Sequence, residues 1–227
     1  MTLQGRRIAV VGAGIGGLTA ALALHRHGAD VVVLEQSEAI TEVGAGIQIS
    51  PNGLRVLEVL GLATALRARS SEARAVSLRD GLRRGAEVLR LDLKLLPADQ
   101  SYLFVHRADI IDVLSKAVRD AGIQVRLLQK ARAVRPGSPA TVELSTGDSC
   151  QADLIVGADG LHSVVRGALN GVVAPFFTHQ VAWRAVVPNI TNHPPEARVH
   201  MGPGRHMVSY PLRGGTLVNI VAAEERH

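Results

Sequence analysis

The run Gly12-Ala13-Gly14-Ile15-Gly16-Gly17 constrains this chain more than any other feature, because it stands between two apolar segments of different period. Arg7–Val11 (RIAVV) predicts a short buried strand, Gly17–His27 an Ala/Leu-rich helix closed by Gly28, and Val31–Glu35 (VVVLE) the next strand. Strand, glycine turn, helix and strand within about thirty residues make a right-handed βαβ unit of the dinucleotide-binding kind. Each glycine then has an expected task. Gly12 permits the tight turn, Gly14 lets a pyrophosphate approach the backbone, and Gly17 allows close helix packing, while the helix N-terminus favours the negative charge. Glu35, at the end of the second strand, is expected to accept the ribose hydroxyls of an adenosine.

Beyond this unit the pattern changes several times. Asn52–Leu66 reads as a helix that Gly61 interrupts or ends, and Ala75–Leu93 as short alternating segments, which predict antiparallel strands inserted from another domain. A helical pattern returns at Arg107–Ala121, followed by strand candidates at Gln124–Leu128, Ala131–Val134, Thr141–Ser145 and Asp153–Val156. After Gly171 the chain is strand-like again, at Val181–Val187, His206–Tyr210 and Thr216–Ala222, with Trp183 expected in the core. The predicted class is α/β: a Rossmann-like domain with a parallel sheet, plus part of an antiparallel-sheet domain. The expected division is 1–73 and 101–170 for the nucleotide-binding part, 74–100 for the inserted strands, and 171–227 for the start of the second sheet.

The bulk properties narrow the partners. A net charge of +5 invites a nucleic-acid reading, but the arginines are interspersed with acids and only 3% of residues are aromatic, leaving little for base stacking. Arg6-Arg7 ahead of the uncharged stretch to Leu24 has the outline of a signal peptide, yet four glycines break the run where a membrane helix is continuous. Neither a nucleic acid nor a membrane is expected as partner. Cys150 is the single cysteine, so no internal disulfide forms and a reducing compartment, the cytoplasm, is expected. The histidines match no metal-binding spacing, and no metal is expected.

The glycine motif alone does not separate FAD from NAD. Three later stretches bear on that choice: EVGAGIQ (Glu42–Gln48), a second glycine-rich loop; HRADI, with Arg107 at a helix start; and GADGLHSVVR, which holds Asp159-Gly160. With GPGRHMVSYPLRGG further on, they occur in the order found in the FAD-dependent aromatic hydroxylases of the p-hydroxybenzoate hydroxylase class, which the chain resembles over essentially its whole length, especially the salicylate and 3-hydroxybenzoate hydroxylases. The resemblance implies that FAD is held by Gly12, Gly14, Gly17, Glu35, Gln36, Ala45, Gly46, Arg107, Ala131 and Asp159. It further implies that Gln48, His206 and Tyr210 meet a small aromatic substrate, with His206 as base for a phenol and Tyr210 orienting it. His206 and Tyr210 are four residues apart, which on a strand puts both side chains on one face; spacing alone is equally met by a half-buried sheet face with no catalytic role.

The activity so implied is hydroxylation of a phenolic ring, such as a hydroxybenzoate, with NADH or NADPH and O2 as co-substrates, in a protein that forms a homo-oligomer in some arrangements. The resembling enzymes continue to a third flavin motif of the G-D-A-A-H-P type. No such run occurs here, so the chain is expected to be an incomplete hydroxylase that binds FAD poorly by itself. An NAD-dependent dehydrogenase would use the glycine motif and Glu35 but gives no reason for the GADG and GPGRH segments; a non-catalytic nucleotide-binding fragment is the other reading.

Overall fold

The structure, a computed structural model, describes residues 3–41 and 44–226, so the first two residues of the EVGAGIQ segment lie outside the described residues. The chain divides into two compact units, one taking in residues to Thr41 and Ile111–Phe176, the other 42–110 and the chain from Phe177 onward.

In the first unit, the strand Arg7–Val11 sits between Asp30–Leu34 on one side and Leu154–Gly157 on the other, with Gln124–Arg126 beyond, all parallel. Ile8–Val11 are all buried, as expected of a parallel strand covered on both faces. The crossover helix runs Ile15–Arg26, two residues earlier than its sequence pattern predicts, because Gly14 already serves as its N-cap. It ends where Gly28 takes a φ of 87°, a left-handed conformation that glycine adopts without a Cβ clash. A three-stranded antiparallel sheet, in the order Ser149–Ala152, Ala140–Leu144, Ala131–Arg135, supplies Val142, Leu144 and Ala152 to a core shared with Ala9, Val11 and Leu34. Cys150 is buried in this same cluster and acts there as a small apolar side chain.

The second unit is built on a six-stranded sheet with the order 180–188, 217–225, 205–212, 196–202, 75–80, 86–92. Its strands are antiparallel except for Glu196–Gly202 beside Ala75–Asp80, which run parallel, so the early strands pair with a segment over one hundred residues later. A smaller antiparallel sheet places Leu103–His106 between Gly46–Ile49 and Ser71–Glu72. Gly46 and Gln48 therefore lie on a strand, whereas the glycine-rich composition predicts a loop. The helical pattern at 52–66 forms two helices, Pro51–Val59 and Ala63–Arg67, parted at Gly61 with a φ of 75°. Phe104, Tyr210, Leu212, Ala197, Ala73 and Leu93 form this unit's buried cluster.

Trp183 is not core: it is 57% exposed. Its register partner Ala222 stands on the opposite sheet face from Asn219, so Trp183 faces away from the cluster around Tyr210. There its indole N–H donates to Glu224 Oε1 at 3.3 Å, and the Arg226 guanidinium lies 5.5 Å from the ring centroid.

Candidate functional site

The glycine motif folds as a socket. Gly12 has a φ of 103°, and a Cβ there would stand 2.4 Å from the Ala158 carbonyl oxygen, so both conformation and space require glycine. A Cβ on Gly17 would stand 1.9 Å from the Gly12 carbonyl, which makes Gly17 a packing residue. Gly14 differs from both, since a Cβ there would meet nothing within 4 Å. The helix that Gly14 caps has no side-chain cap and no acid in its first turn, so no side chain of the helix itself offsets the positive end of its dipole.

Glu35 closes the other side. Its Oε2 accepts from Ala13 N at 2.7 Å and its Oε1 from Ser37 N at 2.8 Å, so one carboxylate ties the glycine loop to the end of the second strand. Each oxygen keeps a second lone pair for a further donor. Gly12, Gly14, Glu35, Gln36, Ala131 and Asp159 all line one cleft of about 570 Å³ within the first unit. Backbone open to a diphosphate, an anchored carboxylate and a helix N-terminus make a fit for the adenosine diphosphate end of FAD.

The Asp159 carboxylate is already engaged: Oδ1 accepts from the Ser163 hydroxyl at 2.5 Å, and Oδ2 from Val164 N at 2.7 Å. Ser163 in turn caps the helix Val164–Asn170 by accepting from Arg166 N at 2.9 Å, and Arg166 Nη2 donates to the Leu161 carbonyl at 2.6 Å. The GADGLHSVVR segment is thus a self-bonded loop in which the side chains of Asp159, Ser163 and Arg166 are all engaged.

In the second unit, Tyr210 is 4% exposed and packs on Phe104 with ring centroids 4.9 Å apart. Phe104 meets Tyr102 edge-on at 6.1 Å, and the Tyr102 hydroxyl donates to Gln48 Oε1 at 2.9 Å. Burial pushes the Tyr210 hydroxyl up to about 12. Gly46 lies against this ring, and its N–H donates to Asn219 Oδ1 at 2.6 Å. Ala45 is buried, and its carbonyl accepts from Arg107 N at 3.0 Å, which fixes the start of the helix Arg107–Asp120. His106 Nδ1 accepts from Ala108 N at 3.3 Å, a local contact at the helix start.

His206 is exposed, near the turn that joins Glu196–Gly202 to Arg205–Leu212. It shares a sheet face with Tyr210, but four extended residues span about 13 Å, so the imidazole and the phenol do not touch. The structure therefore gathers Tyr210, Gly46 and Gln48 around one aromatic stack and leaves His206 apart from them. Tyr102, Phe104 and Asn219 are the members that sequence reading missed. For Asn219 the available signal was a lone amide inside the apolar strand Leu217–Glu225. Among the described residues, no group of His, Cys, Asp and Glu has the arrangement of a metal site, and no helix is long and apolar enough to cross a membrane.

The similarities to known proteins agree with this geometry. The chain is 38% identical over 232 residues to 3-amino-4-hydroxybenzoate 2-monooxygenase of Streptomyces cremeus, covering 95% of this chain and 56% of that protein. It is 35% identical to 3-hydroxybenzoate 6-hydroxylase of Klebsiella oxytoca, with the same two shares. The chain thus spans about half the length of these relatives. Among solved structures, the tetrameric form of 2-methyl-3-hydroxypyridine-5-carboxylic acid oxygenase superposes with a TM-score of 0.79 at 27% identity, over 97% of this chain and 59% of that one. The sequence profile of one family, described as FAD binding domain, matches residues 6–214, and this chain belongs to that family.

Proposed function

We propose that this chain serves an FAD-dependent monooxygenase that hydroxylates a phenolic aromatic acid such as a hydroxybenzoate. One oxygen atom of O2 enters the ring and the other leaves as water, while NADH or NADPH is oxidised. The observation that carries the reading is the dinucleotide socket at Gly12, Gly14 and Glu35, in a chain that also buries the Tyr210 phenol in an aromatic stack. The substrates named for the relatives, hydroxybenzoates, support the substrate class.

FAD, when bound, supplies the electron transfer and oxygen chemistry that protein side chains lack. Glu35, Gly12, Gly14, Gln36 and Ala131 bind its adenosine diphosphate end. Asp159 acts through the loop it fastens, and Ala45, Gly46 and Arg107 shape the backbone at the flavin end. Tyr210 donates a hydrogen bond to one end of the substrate, where Gln48 orients its polar substituent, and His206, about 13 Å along the same strand face, takes the phenolic proton at the other end, which makes the ring more electron-rich. The reaction draws on NAD(P)H, which fits a cytoplasmic enzyme. The tetrameric form of the pyridine-carboxylate oxygenase supports a homo-oligomeric assembly.

The test is His206→Ala in the FAD-loaded protein, with 3-hydroxybenzoate as substrate and product, NAD(P)H and hydrogen peroxide all measured. Losing such a base is expected to cut hydroxylation by about 10² to 10⁴ and divert NAD(P)H oxidation towards peroxide, at an unchanged melting temperature. An unchanged hydroxylation rate removes His206 as the base. Failure of the wild-type protein to hydroxylate any phenolic acid, with FAD bound, removes the reading itself.

A further inference from the structure

The strand Leu217–Glu225 is apolar from Leu217 to Ala223 except at Asn219, which is fully buried. An amide in such a place costs stability unless its hydrogen-bonding groups are paired. Only half of this one is. Oδ1 accepts from Gly46 N at 2.6 Å, across 173 residues of sequence, while Nδ2 is buried with no hydrogen-bond partner. An apolar side chain of the same size would suit the position better if packing were all it did, so the use of Asn219 lies in what Oδ1 holds.

Gly46 in turn lies against Tyr210. A Cβ added to Gly46 would stand 2.6 Å from Tyr210 Cε2, 2.8 Å from the Tyr210 hydroxyl oxygen and 2.9 Å from Asn219 Cγ. Tyr210 and Asn219 are also direct cross-strand partners between Arg205–Leu212 and Leu217–Glu225, with side chains on one face. The three residues therefore form a closed triangle. The sheet register sets Tyr210 beside Asn219, the amide fixes the Gly46 backbone, and that backbone limits how far the phenol ring moves towards the strand Gly46–Ile49. Phe104 holds the ring from another side, at 4.9 Å.

We propose that Asn219 is a positioning residue that sets the place of the Tyr210 hydroxyl by clamping the backbone of Gly46. This rests on the proposed function in so far as Tyr210 meets the substrate; the clamp itself does not. It makes a sharp demand on residue type: position 219 needs an acceptor of asparagine's length, and position 46 needs glycine for want of space, not for a special φ.

The test uses three variants. Asn219→Leu keeps the volume and removes the acceptor, Asn219→Asp keeps an acceptor oxygen in the same place, and Gly46→Ala keeps the residue type at 219 but pushes on both the ring and the amide. In the 227-residue chain, NMR reads the exchange of the Gly46 amide and the ring signals of Tyr210, one of only two tyrosines. Asn219→Leu is expected to speed Gly46 exchange about tenfold and to move the Tyr210 signals, with Asn219→Asp restoring Gly46 protection. Gly46→Ala is expected to move the Tyr210 signals and, with its Cβ 2.9 Å from Asn219 Cγ, those of the Asn219 side-chain amide as well. In the FAD-loaded protein, Asn219→Leu and Gly46→Ala weaken 3-hydroxybenzoate binding about tenfold while Asn219→Asp binds more tightly than Asn219→Leu.

Unchanged Gly46 exchange in Asn219→Leu, or unchanged Tyr210 signals in Gly46→Ala, overturns the proposal. Wild-type 3-hydroxybenzoate affinity in variants whose Tyr210 has moved overturns instead the substrate contact of Tyr210 in the proposed function. If Asn219→Leu does not fold, the Tyr210 signals in Gly46→Ala decide. If the wild-type protein binds no aromatic acid, the proposed function falls, and the two NMR measurements still judge the clamp.

Discussion

The Glu35 carboxylate holds the amide of Ala13 at 2.7 Å, so the residue expected to bind ribose also fastens the loop expected to bind pyrophosphate. A charge-assisted hydrogen bond contributes about 1.5–3 kcal/mol. Glu35→Ala is therefore expected to lower FAD affinity tenfold or more and to lower the melting temperature of the FAD-free protein as well. Fluorescence titration with FAD and thermal unfolding without it check the two effects. A lowered affinity with unchanged FAD-free stability would mean that the Ala13 contact contributes nothing.

Gly12 and Gly14 are expected to respond oppositely to the same substitution. Gly12→Ala forces a Cβ to 2.4 Å from a backbone oxygen at a φ of 103°, and strain of this kind costs at least about 1–3 kcal/mol. Gly14→Ala meets nothing within 4 Å, so the FAD-free protein should melt as the wild type does while its FAD affinity falls. Melting curves with and without FAD separate the two. Equal loss of FAD-free stability in both variants would refute the reading of Gly14 as the open side of the socket.

Tyr210 gives a pH dependence with a definite sign. Burial raises its hydroxyl to about 12, whereas an unfolded tyrosine titrates near 10. Between those values the unfolded chain releases a proton that the folded chain keeps, so stability is intact below about 10 and is lost as pH rises towards 12. Burial shifts Tyr102 in the same direction. Tyr210→Phe retains the contact with Phe104 and should lessen the alkaline loss. Urea unfolding at a series of alkaline pH values measures it, and an alkaline slope equal to the wild type's would count against the burial argument.

Asp109 and Arg213 form a two-point ion pair, at 3.2 Å through Nε and 3.0 Å through Nη2. Asp109 is 8% exposed, but the Arg213 side chain is 48% exposed, so solvent screens the pair and Asp109→Asn should cost only about 1–2 kcal/mol. Arg213 also has a φ of 49°, in the left-handed region. Arg213→Gly, which is at ease there, should lose about 1 kcal/mol less stability than Arg213→Ala. Equal melting temperatures for those two variants would show that the backbone at 213 relaxes when the pair is gone.

Where one local rule governs several neighbouring residues, the sequence by itself determined the outcome. The βαβ unit at 7–35, the break at Gly61 and the antiparallel pair at 75–92 follow from apolar period and glycine position, and their elements form within a few residues of where the pattern puts them. That Gly12, Gly14 and Glu35 stand around one cleft was legible too, because all three are tied to one motif of set spacing. What lay beyond the sequence was decided by pairing across long separations. Period two alternates faces within each strand, but neither the register that sets Trp183 against Ala222 nor which face is covered follows from it, and the tertiary fold buries Asn219 and leaves Trp183 outside. His206 and Tyr210 share a face in either account, yet one is exposed and the other buried, since Phe104 and Gly46 come from another sheet to cover only Tyr210. Those contacts join residues 106 to 173 positions apart, where no local preference of the chain acts and only the packing of complete elements sets the distance.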